Sequence, residues 1–271
     1  MLRVALTSFT LCLLSFTTPG AHSAVGLNSD IKDRIVNKEL TTSTYATFAD
    51  KQFAFENHVE DLYQNSELSK SGLSYNVFRK AYIGFQNFKQ KNLVSSKKSI
   101  LTVIDFTKSS REKRMWIIDL KSKKVLYNTL VAHGRNTGES KAMYFSNQPN
   151  SYMSSMGFYI TNKTYVGKHG LSLKLSGMDK KYNSNAMERA IVVHGADYVS
   201  ESFVKQYGRL GRSLGCPAVP VAISKQVIEL IKDNTCLYIH SADKNYTSSY
   251  LNPEKAIEGF ALENAMLAYN K

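Results

Sequence analysis

Between residues 75 and 90 the chain reads YNVFRKAYIGFQNFKQ, and its apolar side chains fall at Val77, Phe78, Ala81, Tyr82, Phe85 and Phe88. They return to one side every three or four residues, the period of an α-helix, and Ser74 stands where a helix is capped. An aromatic stripe at this spacing is a packing face. It predicts a mainly helical region over residues 25–95, somewhat separate from the C-terminal remainder of the chain and docked on it. Lys91 to Lys98 is mostly polar and reads as a linker. From Ile100 the period shortens. ILTVIDF (Ile100–Phe106), MWIIDL (Met115–Leu120), KVLYNTLVA (Lys124–Ala132), GFYIT (Gly157–Thr161), LSLKL (Leu171–Leu175), RAIVVH (Arg189–His194) and CLYIH (Cys236–His240) are β-branched and aromatic runs divided by polar turns. Lys121–Ser122–Lys123 joins two of them as a hairpin. Two helices interrupt the series, Glu201–Tyr207 and Ser224–Lys232, the second with Ser224 as its cap. A last helix starts at Asn252 as cap and Pro253 as first residue, with Ile257, Ala261, Leu262, Ala265 and Ala268 along its apolar side. The fold class is mainly β with α. A β-rich domain over 98–242 follows a helical region and linker over 24–97 and precedes a helical tail over 243–271. Nothing argues for a doubly wound parallel sheet.

The 271 residues are 43% hydrophobic, enough for a sizeable core. Lys and Arg number 35 against 22 Asp and Glu, a net charge of +13. That excess points to a polyanionic or surface-charged partner: nucleic acid, anionic lipid or an acidic cell-wall polymer. The charge is spread along the chain, without an arginine-rich tail or zinc-finger spacing, which disfavours nucleic acid. The apolar run Val4–Phe16 is too short to span a bilayer comfortably. Pro19–Gly20 breaks it, and Ala21 and Ser23 put small residues before a cleavage point. Residues 1–23 read as a secretory signal peptide cut after Ser23 or Ala24, the alternative being an uncleaved anchor. No other segment is long and apolar enough to span a membrane, so the mature chain is expected to be exported and not stably inserted.

After that cut two cysteines remain, Cys216 and Cys236. Three readings compete: a disulfide in an oxidising compartment, a reactive Cys216 with a buried Cys236, or a metal site from Cys236 and His240. The metal reading has no second ligand pair. Cys216 lies in GRLGRSLGCPAVP (208–220), at the start of a short apolar strand, and His194 ends the strand of IVVHGAD. A thiol is a poor nucleophile until it loses its proton, and a histidine within reach can take that proton and return it to a leaving amine. Glycines beside both residues admit a close approach of backbone to substrate. Amides around Gly215 and Cys216 would face an oxyanion. Arg209 and Arg212 would bind a substrate carboxylate and favour the thiolate. His133 either lines the cleft or is satisfied within its loop, His169 is slightly more structural, and His58 is expected to be exposed. Asn147 to Ser155 reads as a surface loop, with a lid or substrate wall as the alternative. From the residues alone, a structural Cys216 and a nucleophilic one stand about level.

At these residues the chain resembles the L,D-transpeptidases, the YkuD-like catalytic domain. His194–Gly195 followed by Ser213–Leu214–Gly215–Cys216 is similar to that family's His-Gly … Ser-x-Gly-Cys signature. VAHGRNTG (Val131–Gly138), FSNQPNSYMSSMGFY (Phe145–Tyr159), YVGKHGLSLKLSGMD (Tyr165–Asp179) and NAMERAIVVHGADYV (Asn185–Val199) resemble a divergent branch found in Gram-negative bacteria. The resemblance covers about residues 73–241. It implies a YkuD-like β-rich catalytic domain and a periplasmic enzyme acting on the tetrapeptide stems of peptidoglycan. Cys216 would attack the carbonyl of the third residue, releasing D-alanine and leaving a thioester that an amine acceptor resolves. It implies His194 as general base and acid, the Gly195 carbonyl as the group orienting its ring, and Ser213 with the Gly215 and Cys216 amides as the oxyanion site. Neither metal nor organic cofactor is implied, and nothing indicates an oligomeric state. The chain departs from the family in a longer interval from His194 to Cys216, in Leu214 where many members carry histidine, and in Pro217–Ala218 after the cysteine. Arg209 or Arg212 would replace the basic residue missing there. An L,D-carboxypeptidase using water as acceptor is the enzymatic alternative. A non-catalytic wall-binding protein with Cys216 paired to Cys236 is the alternative from another class. A sortase is disfavoured, because no arginine follows Cys216.

Overall fold

The hairpin read around Lys121–Lys123 forms one edge of an eight-stranded sheet. The computed structural model describes residues 47–269. The segment read as a signal peptide, with its expected cleavage point, lies outside the described residues. The described residues form one compact unit. Its strands are β1 (Ile100–Asp105), β2 (Met115–Asp119), β3 (Lys124–Thr129), β4 (Gly157–Gly167), β5 (Gly170–Gly177), β6 (Val192–Ala196), β7 (Ala218–Pro220) and β8 (Cys236–His240). They lie in the order β3-β2-β1-β8-β4-β5-β6-β7, antiparallel except for β1 with β8 and β6 with β7. The helices are α1 (Phe48–Asn65), α2 (Tyr75–Gln90), α3 (Glu201–Tyr207), α4 (Val221–Ile231) and α5 (Pro253–Tyr269). The mainly β class with flanking helices is therefore the architecture, as a mixed sheet.

The sheet is covered on both sides. On one, Leu101, Val103, Trp116, Phe158 and Tyr238 pack with Phe55 of α1, Phe78, Tyr82 and Phe88 of α2, and Ile257 and Phe260 of α5. All six apolar positions of the α2 stripe are buried, and the Ser74 hydroxyl accepts from the Val77 amide. On the other side Ile104, Tyr159, Leu173, Val193 and Leu237 pack with Val227, Ile228 and Ile231 of α4. Among the described residues no helix is long and apolar enough to cross a membrane.

Four expectations are corrected. α4 begins at Val221, not Ser224, whose hydroxyl instead donates to the Val221 carbonyl inside the first turn. β6 begins at Val192, because Ala190 takes a left-handed backbone with φ 52° that no strand continues. α5 buries Ala256, Ile257 and Phe260, while Leu262 is exposed. His58 is half-buried, its ring 4.9 Å from that of Phe260.

Candidate active site

β6 and β7 run parallel with His194 opposite Ala218, so the residues just ahead of β7 lie beside the start of β6. There the Cys216 sulfur accepts from the Val192 amide at 3.5 Å and lies 3.7 Å from the Ala190 carbonyl. His194 is two residues farther along the same strand, about 6.6 Å of rise. The crossover between the two strands carries α3, which accounts for the long interval between histidine and cysteine.

The turn holding Cys216 is fixed by hydrogen bonds on three sides. The Ser213 amide donates to the His133 carbonyl at 2.9 Å, and the Arg135 amide donates to the Ser213 carbonyl at 2.8 Å. The Ser213 hydroxyl donates to the Cys216 carbonyl at 2.6 Å and accepts from the Gly215 amide at 3.1 Å. The Ser154 hydroxyl donates to the Gly215 carbonyl at 3.1 Å and accepts from the Gly134 amide at 3.0 Å. Gly215 has φ 125°, and a Cβ there would meet the Met153 carbonyl at 2.8 Å, so both conformation and space require glycine.

His194 is 3% exposed. Its Nδ1 lies 2.9 Å from the Gly195 carbonyl, which can only accept. The ring proton therefore sits on Nδ1, and Nε2 keeps its lone pair. The His169 ring, from the β4–β5 turn, stacks on that of His194 with centroids 4.3 Å apart. Burial raises the Cys216 thiol above its ordinary value, and the Val192 amide, Arg189 and Lys168 offset this in part. Burial lowers His194, the Gly195 carbonyl opposes this, and His169 and Lys168 push the same way as burial. Both shifts favour the uncharged forms, a thiol and a neutral imidazole.

The structure gathers His194, Gly195, Ser213, Gly215 and Cys216 in one place. Several of the expected site residues have partners within the fold. The Gly215 amide donates to the Ser213 hydroxyl, whereas the Cys216 amide donates to nothing among the described residues. Arg209 and Arg212 both pair with Glu139, at 2.9 and 2.6 Å. The cations that bear on the thiol are Arg189 and Lys168 instead. His133 is 1% exposed. Its Nδ1 accepts from Arg114 at 2.7 Å and its Nε2 donates to the Gly138 carbonyl at 3.2 Å. Cys216 and Cys236 are both free thiols packed on opposite sides of the sheet, which removes the disulfide. Among the described residues no group of three or more His, Cys, Asp or Glu could hold a metal ion.

Reading from sequence passes over Arg189. Its guanidinium donates to the carbonyls of Ser146 and Met153, both at 2.6 Å, and to the hydroxyls of Ser151 and Ser155. It ties the 146–155 segment beneath the cysteine turn. Its only signal in the chain is a basic residue next to an apolar strand, which is commonplace.

The family profile of the L,D-transpeptidase catalytic domain matches residues 69–240. The chain belongs to the L,D-transpeptidase catalytic domain family. Membership puts it with cell-wall transpeptidases and proteins of related function, and the matched span contains β1 to β8 and the whole Cys216 turn. An L,D-transpeptidase from Mycobacterium smegmatis is similar at 10% identity and a TM-score of 0.34, covering 53% of this chain and 59% of its own. An L,D-transpeptidase from Stackebrandtia nassauensis is similar at 14% identity and 0.32, covering 64% and 68%. The helical cell shape determining protein Pgp2 from Campylobacter jejuni is similar at 10% and 0.35, covering 68% and 65%. The chain thus spans 59% of the length of the first of these relatives. No curated protein matches it.

Proposed function

We propose that this L,D-transpeptidase family member is a cysteine acyltransferase of the periplasm that acts on tetrapeptide stems of peptidoglycan. The observation that carries the reading is the His194 tautomer. The Gly195 carbonyl holds the proton on Nδ1 and leaves Nε2 a base, on the strand that lies beside the Cys216 thiol. Nε2 takes the thiol proton as sulfur attacks the carbonyl carbon between the third residue and D-alanine. The new C–S bond forms while the carbonyl oxygen becomes an oxyanion, which the free Cys216 amide receives. The C–N bond then breaks, and the leaving amine of D-alanine takes the proton from His194. The thioester that remains is attacked by an acceptor amine, whose proton passes to His194 and then to the released sulfur. The net charge of +13 suits an anionic wall.

Incubation of the chain with a purified tetrapeptide muropeptide tests this by intact mass and free D-alanine. Wild type is expected to carry the stem as a thioester and to release D-alanine, and Cys216→Ala to do neither. Release of D-alanine by Cys216→Ala at the wild-type rate would overturn the mechanism.

A further inference from the structure

His169 occupies an unusual place for an aromatic side chain. Gly167 pairs with Gly170 across the end of the β4–β5 hairpin, which leaves Lys168 and His169 as its two-residue tip. The surroundings face solvent: Val166 is 80% exposed, and His169 is itself exposed. Yet its ring turns inward and lies nearly parallel to that of His194, at 22° and 4.3 Å between centroids. β5 makes this possible, because its Ser172 pairs with His194 and brings the tip of the hairpin over that residue. One face of the buried base is thus covered by an exposed side chain.

We propose that His169 is a positioning residue for acyl transfer, whose stacked ring holds the His194 imidazole in the orientation that leaves Nε2 free for the Cys216 thiol. Two contacts define that ring. The Gly195 carbonyl holds one edge of the ring through Nδ1 at 2.9 Å, and that bond alone must resist every swing of the ring out of line. A second ring stacked on its face adds a support from a second direction. The same cover keeps bulk water off the face of the base. The inference rests on the reading of His194 as the general base, and it assigns His169 no proton and no contact with the reacting atoms. Stacking needs an aromatic plane and not a titrating group, so phenylalanine should replace it and alanine should not.

The test compares wild type, His169→Phe and His169→Ala. The rate of thioester formation on Cys216 with a tetrapeptide muropeptide is followed by intact mass, and the tautomer of His194 by long-range 1H–15N NMR. Thermal unfolding serves as a control, since an exposed tip residue can be changed without loss of the fold. His169→Ala is expected to slow thioester formation about tenfold, as loss of orientation does. It should also lower the Nδ1–H population of His194 at an unchanged Tm. His169→Phe is expected to stay within about threefold of wild type and to keep the tautomer. Equal rates and tautomers in wild type and His169→Ala would overturn the proposal, as would an equal loss in both variants with the tautomer unchanged. If wild type forms no thioester while the tautomer still responds to His169→Ala, the acyl-transfer reading fails and the positioning stands.

Discussion

The Arg189 guanidinium donates to the Met153 carbonyl at 2.6 Å, and the same carbonyl oxygen lies against Gly215, whose absent Cβ would come within 2.8 Å of it. A half-buried cation thus braces the segment on which the nucleophile turn rests. It also bears on the thiol, where its charge opposes the effect of burial. Arg189→Gln removes the charge, so the thiolate fraction should fall. Alkylation of Cys216 by iodoacetamide at pH 8 is expected to slow by about three- to tenfold. Arg189→Lys should keep most of that rate but lose the four-acceptor fork. Both variants should lose about 2–3 kcal/mol of stability in urea. Unchanged alkylation in Arg189→Gln would show that the residue is a brace and nothing more.

The protonation states of Cys216 and His194 move apart, and this fixes the pH behaviour. Burial holds the thiol above its ordinary value and the imidazole below its own, so each prefers its neutral form. Alkylation requires a thiolate and should still be rising with pH beyond pH 8. Thioester formation requires a neutral His194 and should persist on the acid side, with its limb below the ordinary histidine value of about 6.5. A preformed thiolate–imidazolium pair would instead alkylate at its full rate by pH 6. The two profiles, measured on the same preparation, separate these cases.

His133 converts the same effect into stability. Burial, with the charge of Arg114 beside it, lowers this histidine to about 4. Its folded value is depressed below the unfolded value of about 6.5, so the unfolded chain binds more protons between them. The stabilisation is full above pH 6.5 and is lost as pH falls towards 4. A gap of that size corresponds to about 3 kcal/mol. Urea unfolding at pH 7 and pH 4.5 should show a loss of this order in wild type and a smaller one in His133→Asn. An equal loss in both would place the acid sensitivity elsewhere.

Much of this is legible in sequence where periodicity or a short motif carries the information. All six residues of the α2 stripe are buried, although Ile83, Gly84, Gln86 and Asn87 are buried beside them, and CLYIH matches β8 residue for residue. His194, Gly195, Ser213, Gly215 and Cys216 stand together because Ser-x-Gly-Cys and His-Gly are local signatures at the ends of adjacent strands. The illegible part depends on partners distant in sequence. Arg209 and Arg212 lie near Cys216 in the chain, but both pair with Glu139, some seventy residues away. His133 resembles a cleft residue until Arg114 and Gly138 take its two nitrogens. Periodicity places the start of β6 three residues early, because nothing in Arg189–Ala190 announces an alanine held at φ 52°. The cover of His194 by His169 needs the hairpin register, which a single glycine-flanked histidine does not reveal.

The join between α2 and the sheet gives a last prediction, one whose sign depends on magnitude. Gly84 lies mid-helix and buried, and glycine there costs about 1 kcal/mol against alanine by helix propensity. Propensity alone would make Gly84→Ala stabilising. A Cβ at that position, however, would lie 2.0 Å from the ring of Phe158, which is fully buried between Phe88 and Tyr238. Overpacking against a ring that cannot withdraw costs about 1–3 kcal/mol and outweighs the gain. Gly84→Ala should therefore lower the Tm, and Gly84→Ala combined with Phe158→Leu should lie above the sum of the two single losses, because the smaller side chain relieves the clash. Thioester formation at low temperature should be unchanged in Gly84→Ala, since the contact lies on the side of the sheet away from α4. A rise in Tm for Gly84→Ala would mean that the helix shifts to make room.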